Sequence, residues 1–324
     1  MMAHNFILKI KSASLIIFLL ALTSCYRVED KIEPDVSYNV HENYLKNLPS
    51  AFTPLTEEEK NTSWGQEYMI GLYFAKQIDL YRAITAFKRA EALLDNKIEE
   101  QRALEVQYEQ LLCYYLGKRY DDVIQTFETS ILHNVDKSFA PFKDLLVMLY
   151  DTYRIKENEE KTSKIQELLE KNYPDTAKQL GLSTHLLKGD VQTTKNLSMS
   201  SLNRPMLYDT LQAFEQQKKS VGRAQFLNAI IPGAGYMYIG QKKSALTSFL
   251  MNGLFIAAAY QFFHKGYTAA GVITTSFEMG WYFGGIYGAG QEAKYFNEKL
   301  YERHIGSAMN EERLFPIYML EFTF

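Results

Sequence analysis

Glu278 is the residue whose setting most invites chemistry, being the single charged side chain among the 25 residues from Gly266 to Gly290. A carboxyl in the middle of so apolar a stretch is costly to ionise. It holds a proton, pairs with a polar neighbour, or lines a wet path for protons or ions. Asn252, Gln261 or a backbone carbonyl would suit a neutral Glu278 as hydrogen-bond partner. Two thiols, Cys25 and Cys113, are the remaining reactive side chains of note. Cys113 falls inside the apolar run Leu111 to Leu116, where a small core residue is expected rather than a nucleophile. The six histidines, His4, His41, His133, His185, His264 and His304, stand about 40 positions apart or more, so no local metal-ligand spacing exists. No Gly-x-Ser-x-Gly elbow is present, and no carboxylate pair stands out in helices this rich in Glu. The expectation is a chain with no catalytic residues, no metal and no cofactor.

The elements that carry these residues follow from patterning. Ala245 to Phe263 is 19 residues without a formal charge, about 28 Å as a helix, and 266–290 would run about 37 Å, against a hydrocarbon thickness near 30 Å. Two membrane spans joined by a tight turn at His264-Lys265 are expected, with a buried soluble hairpin as the competing reading. Ahead of them stand Pro232, Gly233, Gly235, Tyr236, Tyr238 and Gly240, a helix stop and flexible turn with phenols suited to the headgroup level. Gly280, Gly284 and Gly288, four apart, would form a helix-packing seam against the first span or against a second copy. Topology does not resolve cleanly. Two spans leave Lys242, Lys243, Lys294 and Lys299 on one side with only Lys265 opposite, and a third crossing by 226–240 would move them, though that segment is short and contains Pro232.

Upstream, 56–180 is poor in Gly and Pro, with apolar stripes at helical spacing such as Leu104, Tyr108, Leu111, Leu112 and Tyr115. Thr56 followed by Glu59 predicts a capping box and a helix from about Glu57. Residues 25–55, interrupted by Pro34, Pro49 and Pro54, read as a tether, and 181–204, rich in Ser, Thr and Asn, as a linker. The module 205–305 opens with a short amphipathic helix at Pro205. The tail 306–324 is expected to hold a short strand near its end. The fold class is all-α. A net charge of −3 offers no cationic field for nucleic acid.

Three resemblances sharpen this outline. Lys9 and Lys11, the apolar stretch Leu15 to Leu22, and then Leu22-Thr23-Ser24-Cys25 resemble a bacterial lipoprotein signal, 1–24, ending in a lipobox. The resemblance implies diacylglyceryl attachment to Cys25 and residence in a bacterial envelope. Under its sorting rule Tyr26 points to the outer membrane, whereas an apolar hairpin favours the inner, which is preferred here. Gly71, Phe74, Ala83, Phe87, Ala90 and Asp95 resemble a tetratricopeptide repeat. Tyr114, Tyr120 and Phe127, with Leu111, Val123 and Ser130, resemble a second copy displaced by 40 positions where about 34 is usual, the excess lying around Asn96 to Glu105. A third copy, Phe142 to Asp175, keeps only the hairpin. The Pro-Gly-x-Gly-x-x-Tyr-x-Gly turn with its hydrophobic hairpin resembles small bacterial membrane modules to which no activity is attached. Together these imply a non-enzymatic, membrane-anchored lipoprotein that binds an envelope protein or peptide through its repeats. A channel or carrier component using Glu278 is the alternative.

Overall fold

The computed structural model describes residues 28–37, 42–94, 99–200 and 203–324. The signal segment 1–24, Cys25, Tyr26 and Asp95 lie outside the described residues. The chain is all-α. It divides into two compact units, one formed by Met1–Asp35 with Asp209–Ile305 and the other by Val36–Tyr208 with Gly306–Phe324.

The second unit is a run of helices: α1 (Glu42–Lys46), α2 (Glu57–Lys60), α3 (Ser63–Lys76), α4 (Leu80–Leu93), α5 (Glu100–Leu116), α6 (Tyr120–Thr129), α7 (Phe142–Ile155), α8 (Glu159–Asn172), α9 (Pro174–Leu187) and α10 (Val191–Ser200). The capping box forms as expected, Thr56 accepting from the Glu59 amide while Glu59 reaches back to the Thr56 amide. From α3 onward, four helical hairpins can be followed among the described residues, and all four turn the same way. Ile78, Lys118, Glu157 and Gly189 have φ of 60°, 55°, 54° and 70°. The amide after each bonds the carbonyl five residues back: Asp79 to Phe74, Arg119 to Tyr114, Asn158 to Tyr153 and Asp190 to His185, at 2.9 to 3.0 Å. This left-handed closure satisfies the carbonyls that a helix end leaves open. Asp79, Asn158 and Asp190 then cap the next helix with their side chains.

Consecutive helices pack on one another from α3 through α10. Gly71 lets α3 and α4 close up, since a Cβ there would lie 2.5 Å from the Phe87 ring. Ala83, Phe87, Ala90 and Tyr114 are buried, while Phe74, Tyr120 and Phe127 are half-buried at the rims. The expected repeat residues therefore sit at helix–helix contacts.

Three sequence expectations are corrected. The linker 181–204 is largely helix, because Asp190 and Thr194 close the fourth hairpin and Thr194 and Ser198 are buried inside it. The tether 25–55 is docked wherever it is described: Val28, Ile32, Leu45 and Leu55 are buried, and Tyr44 donates to the carbonyls of Tyr318 and Leu320. The tail forms no strand. Pro316–Met319 is a 3₁₀ turn, and only an isolated bridge pairs Thr323 with Ser50. The amides of Glu321 and Phe322 go instead to the Asp144 carboxylate, which leaves no ladder to extend.

The first unit contains most of α11 (Pro205–Gln217), then α12 (Val221–Ile230), α13 (Ala234–Ile239), α14 (Lys242–His264) and the larger part of α15 (Thr268–Glu311). Pro205 opens α11 as expected, and Leu207, Leu211 and Phe214 are its buried face. The buried cluster of this unit joins Val28, Val221, Ala224, Ile239 and Ala293.

Candidate apolar surface and repeat clefts

The hairpin of α14 and α15 is built inside out. Its register is set by three contacts: Gly271 lies under the Phe263 ring, Gly285 lies 3.8 Å from Ser248 Oγ at its Cβ position, and Gln241 donates to Glu292. The residue numbers in each pair sum to 533 or 534, the mark of two antiparallel helices meeting along one line. Facing that line from α14 are Ala245, Ser248, Asn252 and Ala259, all buried, and from α15 comes Glu278, also buried. Facing away are Leu246, Phe249, Leu250, Leu254, Ile256, Tyr260, Val272, Ile273 and Phe277, which are 52% to 70% exposed. Each large apolar side chain left in water forgoes about 1.5–3 kcal/mol of burial. A contiguous patch of this size marks an interaction surface.

Length agrees with that reading. One described helix, Lys242–His264, is long and apolar enough to cross a membrane, and only 11% of its most apolar window is buried within the chain. Its 23 residues run about 34 Å. The first part of α15, which holds the expected second span, is more polar through Thr274, Thr275, Ser276 and Glu278 and does not reach the same standard.

The segment before the hairpin is neither a span nor a surface loop. Along α12, Gln225 meets Gly290, Asn228 meets Gly285, and the Tyr282 hydroxyl donates to the Ala229 carbonyl. In the hairpin register this carries α12 from the level of Lys243 to about the level of Met251, a descent of about 12 Å. The chain reverses at Pro232-Gly233, and α13 climbs back to Gln241. The expected alternative of a third crossing by 226–240 is thereby overturned, because both ends of the segment lie at the Lys242 end. Each residue of the turn motif has a task. Pro232 follows the end of α12, Gly233 has φ of 95° and Gly240 of 92°. Any Cβ on Gly233 or Gly235 would strike the carbonyls of Ala245 or Ala224. Asn228 Oδ1 accepts from the Gly233 amide at 2.8 Å. The Tyr238 hydroxyl accepts from the Ser220 amide at 3.2 Å.

Of the two expected settings of the glycine seam, the one against the first span is not formed by Gly280 and Gly284. Gly280 and Gly284 face open space, and only Gly288 is covered, by the Tyr236 hydroxyl. The glycines at close contacts are Gly271, Gly285, Gly288 and Gly290, on the face that meets α14, α12 and α13.

Glu278 points into the hairpin line with neither carboxyl oxygen hydrogen-bonded, and the same holds for Ser248 Oγ and Asn252 Oδ1. Asn252 uses its amide on the Ser248 carbonyl at 2.6 Å, and Gln261 is exposed, so neither expected partner bonds Glu278. The hairpin thus carries polar oxygens inside and hydrocarbon outside.

In the repeat unit the polarity runs the other way, with exceptions that sequence reading did not find. Arg102 clamps the loop before α2: it bonds Glu59 at 2.8 and 3.0 Å, Glu105 at 2.6 Å and the Thr53 carbonyl at 2.9 Å. The Arg102 guanidinium holds the Glu59 carboxyl down at about 2. Glu105, which also accepts from the Tyr68 hydroxyl at 2.5 Å, is pushed up by burial. Glu109 is fully buried without a hydrogen-bond partner, and burial pushes its carboxyl well above the usual carboxylate range. Burial likewise pushes up the neighbouring Cys113 thiol, leaving little nucleophilic thiolate. The only hint of these acids in the sequence is their position within apolar helical runs.

Three clefts open among the described residues of this unit, the largest, about 490 Å³, beside Leu45, Leu48, Ala75, Ile78 and Phe324. A second, of about 420 Å³, lies beside Phe52, Arg102, Leu104, Asn134 and Phe139. The third, about 380 Å³, has Phe127, Leu132, Leu145, Ile165 and Leu168 along its walls with Lys171 at the rim. Among the described residues no group of three or more His, Cys, Asp or Glu is placed to hold a metal ion. Comparison with protein-family models, with curated proteins and with solved structures finds no match for this chain.

Proposed function

We propose that this chain is a non-enzymatic, membrane-anchored lipoprotein of the bacterial envelope, a scaffold or assembly factor that holds a protein or peptide on helical repeats of the tetratricopeptide kind. The observation that carries the membrane half is the inverted hairpin, whose exposed hydrocarbon has bilayer length while its polar side chains turn inward. Segment α12–α13 then dips into the bilayer and returns, a course tolerated where the backbone packs against protein. Cys25 stands three residues before Val28, which packs with Val221, Ala224 and Ile239 at the Lys242 end. Acyl chains on Cys25, as the lipobox resemblance implies, would add a second anchor. Each buried CH₂ adds about 0.8 kcal/mol, so lipid and hairpin reinforce one another. The repeat half rests on the stacked hairpins and the apolar 380 Å³ cleft between α6, α7 and α8.

The test combines fractionation with cross-linking. After carbonate washing of bacterial membranes the chain should stay in the pellet, and a photo-crosslinker at Leu168 should trap one reproducible envelope protein. Release by carbonate would contradict the anchor, and a blank cross-link pattern the scaffold. A second reading, a component of a membrane channel or carrier, draws on the unpaired Glu278, Asn252 and Ser248 oxygens. Glu278→Gln separates the two: a scaffold keeps its cross-link, whereas a proton-linked pathway loses flux.

A further inference from the structure

The two ends of the apolar hairpin differ in charge, and the difference is organised around one ring. Lys219 Nζ lies 5.1 Å and the Arg223 guanidinium 5.7 Å from the centre of the Tyr238 ring. Such contacts hold cations in place without neutralising them. The backbone beneath is pinned: Asn297 accepts from the Lys219 amide and donates to the Lys219 carbonyl, both at 2.7 Å, and Ser220 both caps α12 and donates its amide to Tyr238. Tyr238 is followed by the Gly240 turn and by Lys242 and Lys243, both exposed at the start of α14. Glu292 is engaged with Gln241 and Glu298 with Lys294 and the Glu33 amide, while Glu29 and Asp30, which follow the packed Val28, are exposed. At the opposite turn stand His264, stacked on Tyr260, and Lys265.

We infer that Lys219 and Arg223, held over Tyr238, together with the exposed Lys242 and Lys243 at the start of α14, form a docking site for the headgroups of anionic phospholipids in the leaflet at that end. The inference rests on the membrane reading above. Continuity supplies the occupant: the cations border the exposed side chains Phe226, Leu246, Phe249 and Leu250, so a phosphate held by the former belongs to a lipid whose tails lie on the latter. The short dip of α12 and α13 matters because it brings Lys219 and Arg223 to the same end as Lys242 and Lys243. A third crossing would have separated them.

The experiment places the full chain in phosphatidylcholine vesicles and compares spin-labelled phosphatidylglycerol with spin-labelled phosphatidylcholine by the fraction immobilised at the protein. The expected preference for phosphatidylglycerol is about fivefold or more at low salt, from roughly one kcal/mol per well-placed cation, and it should fade as salt rises. The variant Lys219→Gln/Arg223→Gln/Lys242→Gln/Lys243→Gln should lose it, while Lys265→Gln keeps it. Equal immobilisation of both lipids, or a preference untouched by the fourfold variant, overturns the inference while leaving the membrane reading in place. Displacement of the labelled lipid by inorganic phosphate at matched ionic strength would also overturn it, revealing a site for the free ion. Immobilisation of neither lipid means that the chain is not in the bilayer, and both readings fail together.

Discussion

Leu149 and Leu254 are the same residue on helices of similar regularity, yet Leu149 is fully buried and Leu254 is 65% exposed. The contrast extends to the units that hold them. In the repeat unit α5 and α7 are buried on nearly every face, with Tyr108, Leu112, Leu145 and Tyr153 inside. In the hairpin unit the line between α14 and α15 is kept by Ala, Gly, Ser, Asn and Glu side chains, and the large residues point out. One unit is organised for water. The other makes sense with hydrocarbon around it, since small residues let helices approach where no hydrophobic force pushes them together.

The largest effect should come from charging the outward face. In a chain begun at Tyr26, which has no lipid-bearing Cys25, Leu254→Asp combined with Phe277→Asp should abolish membrane retention, each acid costing about 2.5–3.5 kcal/mol at mid-helix. The thermal transition of the repeat unit should stay where it was, and flotation of the variant with its membranes would break the comparison. Next in size, Leu149→Ala should lower repeat-unit stability by about 2–5 kcal/mol, measured by urea unfolding, while Leu254→Ala should leave it unchanged.

The third effect depends on pH. Burial raises the Asp144 carboxyl from 3.8 to about 6, against two amide hydrogen bonds from Glu321 and Phe322 that pull the other way. The folded state therefore favours the protonated acid. Its contribution is present in full below about pH 4 and is lost as pH rises through about 6, up to about 3 kcal/mol in all. Asp144→Asn should flatten repeat-unit stability across that window, and an unaltered pH profile would remove the tail contact from the account. The smallest effect belongs to the shared turn. Lys118 holds φ of 55° with its side chain exposed, so Lys118→Gly should stabilise the unit by up to about 1 kcal/mol in the same urea assay.

Much of this architecture could be read from residues before any coordinates. Thr56 and Glu59 announce their helix because capping is local chemistry. Gly71, Ala83, Phe87 and Ala90 announce the first hairpin because close helix contacts demand small residues opposite rings. The fourth hairpin was hidden because Thr193, Thr194 and Asn196 look like loop residues until Asp190 caps the helix that they enter. The turns at Ile78, Lys118 and Glu157 were equally silent, since none is the glycine that left-handed backbone usually selects. In the hairpin, spacing alone could not tell which glycines face a neighbour: Gly280 and Gly284 have the motif, but Gly271 and Gly285 have the contacts. Burial of Glu105, Glu109 and Asp144 is a tertiary property that no local pattern encodes.

The claim on which the account turns is that the outer face of α14 and α15 meets lipid. A spin label at Leu254→Cys, in a Cys113→Ala background and reconstituted into vesicles, reads it most directly by collisions with oxygen and with a water-soluble nickel chelate. The account predicts high oxygen and low nickel accessibility at position 254, and the reverse for a label at Lys243→Cys. Equal, high nickel accessibility at both positions would contradict it.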